Sequence, residues 1–208
     1  MSDKSLSSKV VLLGESGVGK TCIISRYIND RFDEKTVSTN GASYGSKSIT
    51  VNSKVIRMDI WDTAGQEKFR SMAKFFYKDA TIAILVYDIT RTDSFNAIKE
   101  FWYEQLKLHA LKDIVIGIAG NKADMFDKEE VSEQEARDFA NKIGAQFRLT
   151  SAFENTGIDE LFLSVVSKFL DPNFQDTIGN LGKKGDGKKI VLNQDPKTGK
   201  IKKKDGCC

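Results

Sequence analysis

The sequence predicts an α/β fold, a doubly wound mixed sheet flanked by helices, on three observations. Short apolar runs alternate with longer amphipathic stretches, the middle runs are apolar almost throughout, and one pair of runs alternates about a two-residue turn. Residues 9–13 (KVVLL), 81–87 (TIAILVY), 114–119 (IVIGIA) and 145–149 (AQFRL) read as strands. Strands that are apolar at nearly every position are covered on both faces, as in a parallel sheet between two helical layers. Residues 44–51 and 54–61 alternate around Asn52-Ser53, which predicts a hairpin and one antiparallel edge strand. Helices are expected near 19–29, 67–78, 93–109, 132–143 and 157–170. The fourth opens on Ser132-Glu133-Gln134-Glu135, a capping box with Ser at N-cap and Glu three residues on. Regular alternation of β and α units places a ligand site beyond the carboxyl ends of the strands.

A chain of 208 residues suits one domain plus a tail. Forty per cent hydrophobic and 29 per cent charged residues is ordinary soluble composition. The net charge is +3, yet residues 183–208 alone carry nine lysines against three aspartates. The basic character therefore belongs to the tail, which argues against a folded nucleic-acid-binding face. Three cysteines, Cys22, Cys207 and Cys208, suggest no disulfide framework and fit a reducing compartment. The polar start MSDKSLSSK has no signal-peptide core, and Met-Ser is not a myristoylation start. No apolar run is long enough to cross a bilayer, so a cytosolic protein is expected. After Leu170, Asp171-Pro172 breaks the helix, and the remainder is rich in Gly, Lys, Asn and Asp. The expected plan is a flexible N-terminus (1–7), a folded domain (8–170) and a disordered tail (171–208).

Gly14-Glu15-Ser16-Gly17-Val18-Gly19-Lys20-Thr21 fits G-x-x-x-x-G-K-[ST] where the first strand turns into the first helix. Glycines there let successive N–H groups point inward at phosphate oxygens, and the helix N-terminus adds partial positive charge. Lys20 would reach the β- and γ-phosphates, and the Thr21 hydroxyl would coordinate Mg²⁺. The bland alternative is a Gly-rich turn with a solvated lysine.

Two later motifs define the nucleotide. Asp62 closes the strand before Thr63-Ala64-Gly65-Gln66-Glu67, where a carboxylate is placed to hold Mg²⁺ through water; alone it would read as a turn residue. Asn121-Lys122-Ala123-Asp124 follows a buried strand. A carboxylate there accepts from guanine N1–H and the 2-amino group, both absent in adenine. By itself N-K-x-D is an ordinary polar loop.

The ordered set GESGVGKT, WDTAGQEKF, NKAD and TSA, with a terminal Cys-Cys, resembles the Rab branch of Ras-like small GTPases over about residues 8–170. The resemblance implies the six-stranded P-loop small GTPase fold, with GTP or GDP and Mg²⁺ as ligands. Through it the cofactor-binding set spans residues 14–21, Cys22, Phe32, Thr39, Gly65, Asn121, Lys122, Asp124, Ser151 and Ala152. Thr39, nineteen residues after Lys20, becomes the switch threonine on Mg²⁺, beside Thr21 and Asp62. Phe32 would pack beside guanine, against the simpler reading of a loop aromatic. Ser151 and Ala152 would support the base by backbone contact. Gln66 would orient the attacking water and Gly65 would contact the γ-phosphate, so Gln66, Thr39, Lys20 and Gly65 form the catalytic set. Cys22 reads equally as a small core residue of the first helix.

Loss of the γ-phosphate would release the segments around Thr39 and residues 65–74. No built-in arginine finger can be named, so slow turnover and an activating partner are implied. Departures from the Rab pattern fall at Asn40, at Lys68 where Arg is usual, and at Phe153, which replaces a lysine that shields the base. That last loss points toward looser nucleotide binding.

The ending Cys207-Cys208 is not C-a-a-X and resembles the double geranylgeranylation site of Rabs. Two prenyl chains anchor where one is marginal, and the lysines add attraction to an anionic leaflet. The resemblance further implies an exchange factor, a GTPase-activating protein, a prenyl-binding chaperone, effectors, a monomer and no nucleic acid. It places the protein on the cytosolic face of an intracellular membrane, with GAS at 41–43 and AGNKAD at 119–124 resembling early-endosomal Rabs. Two alternatives remain open at this point: a non-hydrolysing GTP-binding scaffold, and a P-loop phosphotransferase or ATPase.

Overall fold

Every residue of the strand Ile82–Asp88 is buried, as its unbroken apolar run requires of a strand sandwiched between helical layers. It lies inside a six-stranded sheet in the computed structural model, which describes residues 6–34, 39, 42–63 and 75–176. The strands are β1 (Leu6–Leu13), β2 (Ala42–Val51), β3 (Lys54–Thr63), β4 (Ile82–Asp88), β5 (Val115–Asn121) and β6 (Gln146–Thr150). Their order is β2-β3-β1-β4-β5-β6, antiparallel only at β2–β3. Among the described residues the main helices are α1 (Lys20–Asn29), α2 (residues 92–109), α3 (Glu133–Ile143) and α4 (Ile158–Leu170).

Strand alternation divides the core. Val10, Leu12, Ile82, Ile84 and Val86 face α1 and α4, where the Tyr27 and Phe162 rings stack at 3.7 Å. Val11, Leu13, Ala83, Leu85 and Tyr87 face the other way, onto Phe95, Ile98 and Trp102 of α2 and Ala136 and Ala140 of α3. Asn52 and Ser53 both take positive φ (50° and 63°), the backbone of a two-residue hairpin turn matched to strand twist.

The helix boundaries fall close to expectation, with informative differences. Ser132 caps α3 by accepting from the Glu135 N–H (3.2 Å), while the Glu135 carboxylate pairs with Lys99 of α2. The expected helix 93–109 is not uniform: α-helical Thr92–Ala97 passes through π-helical Ile98–Trp102 into α-helical Tyr103–His109. Of the helix expected at 67–78, residues 75–77 are helical and 67–74 lie outside the described residues. A 3₁₀ segment, Ala123–Lys128, follows the NKAD motif and was not foreseen.

Both ends of the domain run past the expected limits. β1 starts at Leu6, inside the stretch expected to be flexible, because Ile56–Met58 of β3 extend far enough to pair with residues 6–8. Residues 171–176, expected in the tail, form a turn with the Phe174 N–H on Asp171 O (2.9 Å). Lys168 donates to Phe174 O (3.2 Å), and Arg148 of β6 pairs with Asp176, both side chains being largely buried. No helix among the described residues is long and apolar enough to cross a membrane.

Candidate functional site

β1 lies between β3 and β4, and the chain leaves it toward opposite sides of the sheet, so a crevice opens past the carboxyl ends of β1 and β4. The turn out of β1 occupies it. Gly14 (φ 149°) and Gly19 (φ 97°) hold backbone that admits no side chain: an added Cβ would stand 2.1 Å from Val86 O and 2.2 Å from Asn121 Nδ2, respectively. α1 begins directly after, with Gly19 as its left-handed N-cap. A loop of turned-in amides running into a helix N-terminus is a phosphate cradle.

Lys20 is 5% exposed and donates to Gly14 O (2.8 Å) and Glu15 O (2.9 Å), so its ammonium lies folded over the loop. Burial lowers its pKa to about 8, partly opposed by the nearby Asp62 and Glu15 carboxylates. At the next residue three oxygens converge. The Thr21 hydroxyl donates to Asp62 Oδ2 (2.7 Å), Thr39 donates to the same oxygen (3.2 Å), and the two hydroxyls lie 2.7 Å apart. Asp62 is 1% exposed; burial pushes its carboxyl above the ordinary range, opposed by the Thr21 hydrogen bond and the Lys20 charge. Its Oδ1 is buried with no hydrogen-bond partner among the described residues. A buried, half-satisfied carboxylate flanked by two hydroxyls is a hard-oxygen set that a small divalent cation would complete.

The base-side elements line a cavity of about 440 Å³, a size suited to a small-molecule ligand. Asn121 at the end of β5 donates to Val18 O (2.8 Å) and accepts from the Thr150 hydroxyl (3.1 Å). Its amide therefore ties the phosphate loop to β6, with one donor and one acceptor position left. Lys122, in a left-handed conformation, pairs with buried Asp88 (2.6 Å), which lays its stem along the cavity. Asp124 accepts from the Ser151 hydroxyl, which in turn accepts from the Glu154 N–H (3.0 Å).

The Ser151 N–H donates to Thr156 O (3.0 Å) and its C=O accepts from the Thr156 N–H (3.1 Å), while its hydroxyl donates to Asp124. Ala152 lines the cavity, its carbonyl held by Arg26 Nε (3.0 Å). Phe32 stands at the cavity edge with its ring edge-to-face against Phe153, centroids 5.6 Å apart. The position read as a lost lysine thus carries an aromatic wall. Cys22 lines the cavity and also packs against the core.

Several residues were invisible to motif reading. Arg91 donates to Ser16 O (3.1 Å) and pairs with Asp93, so the arginine beside the phosphate loop is engaged on its outer side. Trp102 donates to the Glu15 carboxylate (3.1 Å). At the edge of the sheet Tyr44, Trp61 and Phe76 form an aromatic run, with Tyr44 and neighbouring Phe75 51% and 68% exposed. Gly65, Gln66, Lys68, Asn40, Cys207 and Cys208 lie outside the described residues.

The Ras family model matches residues 9–171. The chain is 41% identical to the Ras-related protein Rab-22A of Homo sapiens over 182 residues, 88% of this chain and 91% of that one. It is 42% identical to Rab-31 of Mus musculus over 174 residues, covering 84% and 88% of the two chains. It is 36% identical to YPTC6 of Chlamydomonas reinhardtii over 203 residues, covering 96% and 94%. With a phosphate cradle, a carboxylate-bearing base cavity and these relatives in hand, the chain belongs to the Ras family and is a Rab-type small GTPase that binds and hydrolyses GTP.

Proposed function

We propose that the cleft binds GTP as an Mg²⁺-dependent switch, with residues 14–21 on the phosphates and Asn121, Lys122, Asp124, Ala152 and Phe32 on the base. The observation that carries this reading is the meeting of Thr21, Thr39 and Asp62 beside Lys20, with one Asp62 oxygen orphaned. Thr21, Thr39 and Asp62 would hold Mg²⁺, whose charge would offset that of the β- and γ-phosphates. Lys20 would exchange its loop carbonyls for phosphate oxygens. Thr39, the hinge between the bound ion and the loop around it, would carry the state of the γ-phosphate outward. Gln66 would position the attacking water and Gly65 would bond the γ-phosphate through its N–H.

Regulators and effectors accompany this activity in the family. An exchange factor, a GTPase-activating protein and a prenyl-binding chaperone are the proposed set. The aromatic run at Tyr44, Trp61 and Phe76, with Tyr44 and neighbouring Phe75 exposed, is the proposed effector surface, since exposed apolar patches mark partner sites. The folded domain 8–170, extended to 176, would be tethered through 177–208 and prenylated Cys207 and Cys208 to the cytosolic face of an endosomal membrane.

Release of a fluorescent GDP analogue tests the metal reading. In wild type, chelating Mg²⁺ should speed release on the order of tenfold or more, since a buried carboxylate loses its counter-ion. Asp62→Ala should release at the chelated rate whether or not Mg²⁺ is present. A variant that remains as chelator-sensitive as wild type removes Asp62 from the metal site.

A further inference from the structure

Three side chains from outside the phosphate loop hold it: Asn121 on Val18 O, Arg91 on Ser16 O, and Trp102 on the Glu15 carboxylate. The first two grip backbone. The third grips a side chain that, by charge alone, does not belong there. A carboxylate in a loop whose amides collect an anion works against that anion unless it is turned away and compensated.

Trp102 turns it away. Its indole is 1% exposed inside the α2–α3 face of the core, and a buried indole N–H requires an acceptor. Glu15 Oε1 supplies it at 3.1 Å. The carboxylate remains near enough to Lys20 to favour the charged ammonium. Both members of the pair are thereby satisfied: the indole gains its acceptor, and the loop gains a fixed point on its outer side.

The helix is built to make this contact. Trp102 ends the π-helical stretch Ile98–Trp102, flanked by α-helix on both sides. One extra residue in a turn rotates everything beyond it by about 100° relative to an unbroken α-helix. Such turns carry poorer hydrogen bonding and persist where a side chain must be aimed. Beyond the π stretch, Gln105 lies against the Tyr77 hydroxyl (3.5 Å), and Tyr77 closes the short helical piece after residues 64–74. α2 therefore touches the phosphate loop at one point and the short helical piece 75–77 at another.

We infer that Glu15 and Trp102 are positioning residues for guanine nucleotide: their hydrogen bond sets the loop in its phosphate-binding shape and makes nucleotide retention depend on α2. The inference rests on the phosphate-loop reading given above. The test is release of a fluorescent GDP analogue from the full chain in Glu15→Ala, Glu15→Gln, Trp102→Phe and the double variant Glu15→Ala/Trp102→Phe. Glu15→Ala and Trp102→Phe should each speed release on the order of tenfold, the scale of a hydrogen bond to a charged acceptor. The double variant should release no faster than the faster single one, because Trp102 reaches the loop through Glu15. Glu15→Gln keeps an oxygen acceptor and should recover most of the loss.

Wild-type release from Glu15→Ala, or multiplying effects in the double variant, would overturn the inference. Should Trp102→Phe fail to fold, the Glu15 pair decides: equal acceleration in Ala and Gln also overturns it. In a Trp61→Phe background the remaining indole reports directly, and Glu15→Ala should shift its emission; an unmoved spectrum counts against the contact. Lys20→Ala separates the two levels, since GDP bound by that variant at wild-type strength would sink the phosphate-loop reading itself.

Discussion

The phosphate half of the cleft and its base half are made of different material. Residues 14–19, before the side chains of Lys20 and Thr21, are a turn of backbone held by glycines that tolerate no Cβ and gripped from Arg91, Trp102 and Asn121. Around 121–124 and 151–153 the groups are side chains: a carboxylate set by Ser151, a lysine stem set by Asp88, and two phenylalanine rings in edge contact. A backbone cradle reads charge and is indifferent to which nucleotide carries it. A side-chain cavity reads shape and donors, and can be altered one substitution at a time without unmaking the cradle. Asn121 is the joint, bonded to Val18 in one half and Thr150 in the other.

The largest effect is expected at Asp124. Asparagine there offers one donor and one acceptor in place of two acceptors, so the guanine 2-amino group meets an N–H. GDP affinity should fall on the order of a thousandfold, and xanthosine diphosphate, with a carbonyl at that position, should gain. Competition between the two nucleotides measures it; equal losses for both would mean that Asp124 does not read the base edge.

A second effect belongs to the phosphate half alone. Burial lowers the Lys20 pKa to about 8, and bound phosphate would favour the charged form. Binding above pH 8 therefore takes up a proton, and GDP affinity should fall about fivefold between pH 8 and 9. The empty domain should move oppositely. Its lysine binds fewer protons than the unfolded chain between about 8 and the ordinary 10.5, so this group's contribution to stability rises with pH across that window. Calorimetry in buffers of different ionisation enthalpy reads the proton directly; no uptake at pH 9 would place the ammonium in a different environment.

The smallest effect distinguishes two views of Phe153. If the position merely lacks a shielding lysine, Phe153→Lys should tighten GDP. The ring contact with Phe32 argues that the wall is already built, so Lys should stay within about twofold of wild type. Alanine should speed release about two- to tenfold, the range of an aromatic contact.

Legibility followed the same division. The phosphate loop was readable because backbone geometry demands glycine at fixed places, and Gly14 and Gly19 prove to be sites where a Cβ would collide. The central strands were readable because burial on both faces leaves almost no polar position, as along β4, apolar until Asp88 at its end. What escaped were contacts without local sequence signature. Trp102 and Glu15 are 87 residues apart, Arg26 and Ala152 are 126 apart, and no spacing rule links them. The π turn in α2 escaped because its residues have the composition of ordinary helix, with the register change decided by packing. The Thr156 bridge on the Ser151 backbone and the Ser151 hydroxyl bond to Asp124 escaped as well, since both depend on the turn between residues 151 and 156.

The Arg148–Asp176 pair gives the proposed tether its point of origin. Pro172 sits among Thr81, Ile114 and Val115, at the amino-terminal edge of β4 and β5, while the cleft lies at the carboxyl edge. A line attached at Asp176 therefore leaves the globule from the pole that faces away from the nucleotide. Counting from 176 rather than 170 removes six residues of slack, about 20 Å of extended reach. The moored protein would ride with its bilayer-facing pole fixed and its sensing face outermost, where a cytosolic visitor meets it first.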